Sequence, residues 1–169
     1  MKKIKKPELL APAGNLEKLK TALATGADAV YCGVPDFSLR TRINDFSLAD
    51  IKRGVDYAHA AGKKVYVTLN IIARDSHWPR LKEHVKKLKI IAPDALFLAD
   101  PGVLETVKSV WPQAPLSLST QANCTNGAAA KFWARQGYAR LILSRELSLK
   151  EIAAIKKKAG RTEIEVFVH

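Results

Sequence analysis

Short runs rich in β-branched and aliphatic residues alternate along the chain with longer stretches in which apolar residues recur every three or four positions. The short runs predict seven strands: Glu8–Ala11, Ala29–Gly33, Lys64–Ile71, Ala95–Ala99, Leu116–Thr120, Arg140–Ser144 and Glu163–His169. The longer stretches predict six helices with the apolar stripes Leu16/Leu19/Leu23, Leu48/Ile51/Val55, Leu81/Val85/Leu88, Leu104/Val107/Trp111, Ala129/Phe132/Trp133 and Ile152/Ile155/Ala159. Start signals fall where these stripes begin. Ser148 with Glu151, and Ser47 with Asp50, have capping-box spacing, and Asn15 and Asn126 suit N-caps. Gly26, Gly62, Gly137 and Gly160 follow helices one, two, five and six, where a left-handed residue ends a helix.

Strict alternation of strand and helix predicts a parallel α/β fold, either a doubly wound open sheet or a barrel. Strand parity favours the barrel. In the fifth strand Leu116 and Leu118 alternate with Ser117, Ser119 and Gln121. In the seventh Ile164, Val166 and Val168 alternate with Glu163, Glu165, Phe167 and His169. One face is therefore apolar enough to meet helices and the other suits a polar lumen, whereas a doubly wound central strand is apolar on both faces. Because the pattern stops at Phe167-Val168-His169, it predicts an incomplete (β/α)8 TIM-type barrel, one domain over residues 1–169, ending before helix 7 and strand 8. The exposed strand edges of such a barrel predict self-association.

Composition narrows the function classes. The formal charge of +12 creates a field that favours polyanions, RNA first, although runs such as Lys86-Lys87 and Lys156-Lys157-Lys158 also suit plain solvated helix faces. The basic N-terminus lacks the apolar region of a signal peptide, and no stretch approaches a membrane span. A soluble cytoplasmic protein with no membrane partner is expected. Cys32 and Cys124 show no C-x-x-C spacing, which argues against a zinc knuckle, and no metal site is predicted. There is no G-x-G-x-x-G, no P-loop and no nucleophile elbow.

In a barrel, chemistry gathers at the C-terminal ends of the strands. Read there, Arg40 and Arg42 form a candidate anion-binding loop, their guanidinium forks matching carboxylate or phosphate. Asn70, Gln121 and Asn123 offer amides that orient a small polar substrate. Arg145 and Glu146 either line the pocket or pair with each other. Asp100 is either an acid of the site or the cap of the helix that starts at Pro101. His169, with Glu165 two residues back on the same face, is a candidate acid–base group, and Asp100 and His169 are the catalytic candidates. His59, His77 and His84 read as surface residues, and both cysteines as buried and inert.

Several ordered segments carry a family resemblance. They are Pro7-Glu8-Leu9-Leu10-Ala11-Pro12-Ala13-Gly14-Asn15, Gly26-Ala27-Asp28-Ala29-Val30-Tyr31-Cys32-Gly33, Phe37-Ser38-Leu39-Arg40 and Gly62-Lys63-Lys64-Val65-Tyr66-Val67-Thr68-Leu69-Asn70. Leu118-Ser119-Thr120-Gln121-Ala122-Asn123, Leu143-Ser144-Arg145-Glu146-Leu147-Ser148 and Glu165-Val166-Phe167-Val168-His169 follow in order. Together they resemble the collagenase-like peptidase family of unknown catalytic type, the thirty-second such family. Within it they are most similar to the branch for prephenate-dependent hydroxylation of the transfer-RNA wobble uridine. The resemblance implies an RNA-modifying enzyme that forms 5-hydroxyuridine, with tRNA or other RNA as partner and a small anionic metabolite as a further ligand. It also implies an iron-sulfur cluster in the parent protein, held by cysteines that follow the Phe167-Val168-His169 phrase, so that this fragment binds no cofactor and is inactive alone. Two rivals remain, a collagenase-like peptidase (a hydrolase) and a non-catalytic RNA-binding module.

Overall fold

A computed structural model describes residues 6–39 and 45–169. The elements follow the predicted alternation: β1 Leu10–Pro12, α1 Leu16–Ala24, β2 Ala29–Gly33, α2 Leu48–Ala60, β3 Lys64–Leu69, α3 Trp78–Ile91 and β4 Ala95–Leu98. Then come α4 Pro101–Val110, β5 Leu116–Leu118, α5 Gly127–Arg135, β6 Arg140–Ile142, α6 Leu149–Ala159 and β7 Glu163–Glu165. The seven strands are all parallel and ordered β1-β2-β3-β4-β5-β6-β7. A doubly wound sheet reverses its order at a switch point, and this one does not, which is the winding of a (β/α) barrel.

Local chemistry explains where the helices sit. Ser47 and Ser148 accept from the N–H groups of Asp50 and Glu151, whose carboxylates return the bond to the serine N–H. Asn15 and Asn126 cap α1 and α5. Gly62 takes φ 65° directly after α2, a conformation that a Cβ would strain. Helix α3 ends instead on Ala92 at φ 55°, a left-handed stop that carries no glycine signal. One stripe differs from expectation. In α5 the buried residues are Gly127 and Ala130, and Phe132 is 46% exposed, because two small residues let α5 approach its neighbours closely.

Strand parity divides the interior in two. Val30, Cys32, Val65, Val67, Leu96, Leu98, Leu118 and Leu141 face the helices and form the main core. The other parity faces the lumen, where Ala29, Tyr66, Ala95, Phe97 and Ile142 cluster and Phe97 stacks between Tyr31 (6.0 Å) and Tyr66 (5.5 Å). Several strands are shorter than their apolar runs: β5 ends at Leu118, before a 3-10 turn over Thr120–Ala122, and β7 pairs only through Glu165.

At the N-terminal end of the lumen lies a charged network. Arg140 Nη1 donates to Glu8 Oε1 (2.9 Å) and Glu165 Oε2 (3.3 Å), and its Nη2 donates to Glu163 Oε2 (2.8 Å). Tyr66 Oη donates to Glu8 Oε1 (2.6 Å) and Lys64 Nζ to Glu8 Oε2 (2.7 Å). Glu8 precedes β1 whereas Glu163 and Glu165 lie on β7, so Arg140 ties the two ends of the sheet order together and the sheet is curled.

Candidate functional site

At the opposite, C-terminal end the strands converge on a rim of neutral polar side chains. Chain alternation carries Asn70 from the end of β3 into the lumen, where it is 7% exposed. Its Oδ1 accepts the Leu39 N–H (3.3 Å), and its Nδ2 donates to Gln121 Oε1 (2.9 Å) and Ser119 Oγ (3.3 Å). Ser119 in turn donates to the same Gln121 oxygen. Both polar side-chain atoms of Asn70 are thereby committed, which makes it the fixed centre of the rim.

The turn at Thr120–Ala122 aims Gln121 back toward Asn70 and leaves Asn123 in the left-handed region at φ 51°. Asn123 Oδ1 accepts from Ser144 Oγ (3.1 Å), and Thr120 Oγ1 donates to the Leu143 carbonyl (3.4 Å), so the turn is tied to the chain leaving β6. Deeper in, Thr68 Oγ1 donates to the Cys32 carbonyl (3.3 Å) and lies 2.8 Å from Ser38 Oγ. Gln121 is exposed, and its Nε2 has no partner among the described residues. The rim therefore presents an oriented amide donor, backed by a buried hydrogen-bond network, to whatever enters the lumen mouth. Such a set can hold a planar ring through its carbonyl groups.

The other predicted residues fall out unevenly. Arg145 does not pair with Glu146; its guanidinium lies 3.7 Å from the Phe167 ring centroid, a cation–π contact over the mouth between β6 and β7. Glu146 is exposed in the turn before α6. Asp100 Oδ1 accepts from Gly102 N (2.7 Å) and Val103 N (3.1 Å) and so caps α4. His169 is exposed beyond β7. Arg40 and Arg42 lie outside the described residues. His59 meets Asp94 at 3.0 Å on the surface, whereas His77 and His84 are half-buried with their rings against Phe37, packing that their positions in the sequence did not announce.

Residue-level reasoning did not single out Ser38, Thr68 and Ser144, all buried in the network. Thr68 and Ser144 carried a usable signal, since they share lumen parity with Asn70 and Arg140. Ser38 sits in a loop and carried none.

The two cysteines do not fit an iron-sulfur cluster, which takes several thiolates at one point. Cys32 lies in the helix-facing core and burial pushes its thiol up to about 12, while burial also raises Cys124. No group of three or more His, Cys, Asp or Glu that could hold a metal ion occurs among the described residues. Cys32 is expected to resist an alkylating reagent in the folded protein and react only after unfolding, as read by mass spectrometry. Native labelling at the rate of an unfolded control would contradict the burial.

Comparison with known proteins bears on this geometry. Residues 14–169 match the sequence profile of Peptidase family U32. The chain belongs to that family. The tRNA hydroxylation protein P of Haemophilus influenzae is 48% identical over 167 residues, covering 97% of this chain and 36% of that protein. The 23S rRNA 5-hydroxycytidine synthase of Escherichia coli is 38% identical over 162 residues, covering 96% of the chain and 24% of the protein. This U32 chain thus spans little more than a third of the length of the hydroxylation protein it matches. Among solved structures, a U32 peptidase superposes with TM-score 0.75 at 18% identity, covering 98% of this chain and 69% of that one, which shows a shared fold. No helix among the described residues is long and apolar enough to cross a membrane.

Proposed function

We propose that this U32 chain forms the substrate-binding wall of an RNA-hydroxylating enzyme that converts the wobble uridine of transfer RNA to 5-hydroxyuridine. The observation that carries the reading is its 48% identity, across 97% of its length, to a tRNA hydroxylation protein. The rim chemistry supports it. Uracil is a flat ring with two carbonyl acceptors, and the Nε2 of Gln121, without a partner among the described residues, is a donor held in place by Asn70 and Ser119. The amides orient the base. Arg145, together with Arg40 and Arg42, supplies cations for a phosphate or for a small anionic metabolite.

Putting a hydroxyl on the ring is a two-electron oxidation, and the amide and hydroxyl side chains of the rim are not redox-active. In this proposal the oxidation is carried out with groups outside this chain, any iron-sulfur centre being ligated by cysteines elsewhere in the longer protein. The chain alone is accordingly a binding element and not a complete catalyst.

A nucleoside profile of transfer RNA by mass spectrometry tests the reading. Deleting the gene is expected to remove 5-hydroxyuridine and a plasmid copy to restore it. An unchanged profile, with gelatin cleaved by the purified protein, would replace this reading with the peptidase one.

A further inference from the structure

Some of the cations of this protein are paired with acids and others are not. On α2, Lys52 pairs with Asp56 and Arg53 with Asp50; on α3, Arg80 pairs with Asp36 and Lys86 with Glu83; Lys6 and Lys63 share Asp28. On and just after α5 and α6, Lys131, Arg135, Lys150, Lys157, Lys158 and Arg161 are exposed and make no ion pair among the described residues, as is also true of Lys82, Lys87 and Lys89 on α3, but only the α5–α6 set surrounds an exposed aromatic, Phe132. Glu151 is the one acidic residue in either helix, and its carboxylate is turned to Ser148 in the α6 capping box.

These charges form a continuous surface. Gly127, Lys131 and Arg135 lie four residues apart on one row of α5. The aliphatic stem of Lys158 rests on Gly127, where an added Cβ would collide with it, so the α6 lysines extend the α5 row. Phe132 stands among them, 46% exposed, its ring edge-to-face with Trp133 (5.0 Å), which is edge-to-face with Tyr138 (5.5 Å). An uncompensated cationic face attracts polyanions, and an anchored exposed aromatic offers a stacking platform for an unpaired base. A lipid surface fits less well, because the apolar stripe of α6, Ile155 and Ala159, is buried against the sheet.

We propose that the outer face of α5 and α6 is a second RNA contact surface, separate from the lumen mouth, in which the free cations take backbone phosphates and Phe132 stacks on an unpaired base. This rests on the RNA reading above and adds where the body of the RNA lies.

The experiment is a filter-binding titration of the purified protein with unfractionated transfer RNA across a salt series. Lys131→Ala/Arg135→Ala/Lys157→Ala is compared with Lys82→Ala/Lys87→Ala/Lys108→Ala, which removes as much charge from α3 and α4. The first triple is expected to lose at least about tenfold in affinity and to flatten the salt slope by roughly 2–3, at about 0.7–0.9 per phosphate contact. The control triple is expected to change affinity less than about twofold, and Phe132→Ala to weaken binding about fivefold or more at an unchanged slope. Equal losses from both triples would overturn the surface in favour of a diffuse field. No loss from either, or no binding by the wild type, would overturn it outright, as would a first triple that loses only binding to phosphatidylserine vesicles. The nucleoside profile separates the two readings: normal binding by the first triple beside a profile that depends on the gene refutes this surface alone, whereas an unchanged profile refutes the RNA reading itself.

Discussion

Replacing Arg140 with alanine is expected to destabilise the protein by about 2–4 kcal/mol, more than removing any surface cation, because it strands carboxylates that are mostly withdrawn from water. The side chains of Arg140, Glu8 and Glu165 are 13%, 22% and 19% exposed, while Glu163 at 65% contributes little. Burial opposes ionisation of Glu8, but hydrogen bonds from Lys64, Tyr66 and Arg140 outweigh it and hold its pKa below the ordinary glutamate range. For Glu165 burial wins and the pKa is raised, with Arg140 the main opposing influence.

The pH dependence follows from these directions. Glu8, depressed in the fold, contributes stability that is present above its unfolded pKa and lost as pH falls through its folded one. Glu165, raised in the fold, carries a penalty above its folded pKa that disappears as pH falls below its unfolded one. Without Arg140 both carboxyls move upward. The gap between wild type and Arg140→Ala is therefore widest at neutral pH and narrows as the carboxyls protonate on acidification. Urea denaturation of both proteins across the acid range measures it, and a gap independent of pH would show that the network is not held together by charge.

Gln121→Ala is expected to cut uridine hydroxylation roughly ten- to hundredfold, the kinetic equivalent of about 1–3 kcal/mol of lost hydrogen bonding, and to destabilise the fold by about 1–3 kcal/mol as well. The stability loss arises because Gln121 Oε1 is the acceptor for the buried Asn70 Nδ2 and Ser119 hydroxyl, and the activity loss because its exposed Nε2 is the donor proposed to meet the base. Asn70→Ala is expected to lose both activity and stability, since it also leaves the Leu39 N–H and the Ser119 hydroxyl short of a partner. Deletion cells rescued with each variant, profiled for 5-hydroxyuridine and paired with melting curves, test both. Full modification by Gln121→Ala would remove the amide from the site.

How far the sequence could be read depended on how local the signal was. Caps at Asn15, Ser47, Asn126 and Ser148 depend on neighbours within four residues, and each appears in the structure as its spacing predicts. Period-two alternation placed Glu163 and Glu165 in the lumen and Ile164 against the helices. It could not show that Arg140 reaches Glu8 from 132 residues away, because that contact exists only once the sheet curls. In α5 the small residues Gly127 and Ala130, and not the aromatic Phe132, turned out to face inward, since close helix packing selects for size as well as apolarity. At the rim Asn70 Nδ2 donates to Gln121 Oε1, a contact between residues 51 positions apart. Asp100 had equal claims as acid and cap, and the structure shows it capping α4.

The claim that the rim receives the target base is tested most directly by photocrosslinking. Transfer RNA carrying 4-thiouridine at the wobble position is irradiated with the purified protein and the adducted peptides are mapped. The account predicts adducts on the segments that hold Asn70 and Gln121–Asn123. Adducts confined to the N-terminal end of the barrel, around Lys64 and Arg140, would contradict it.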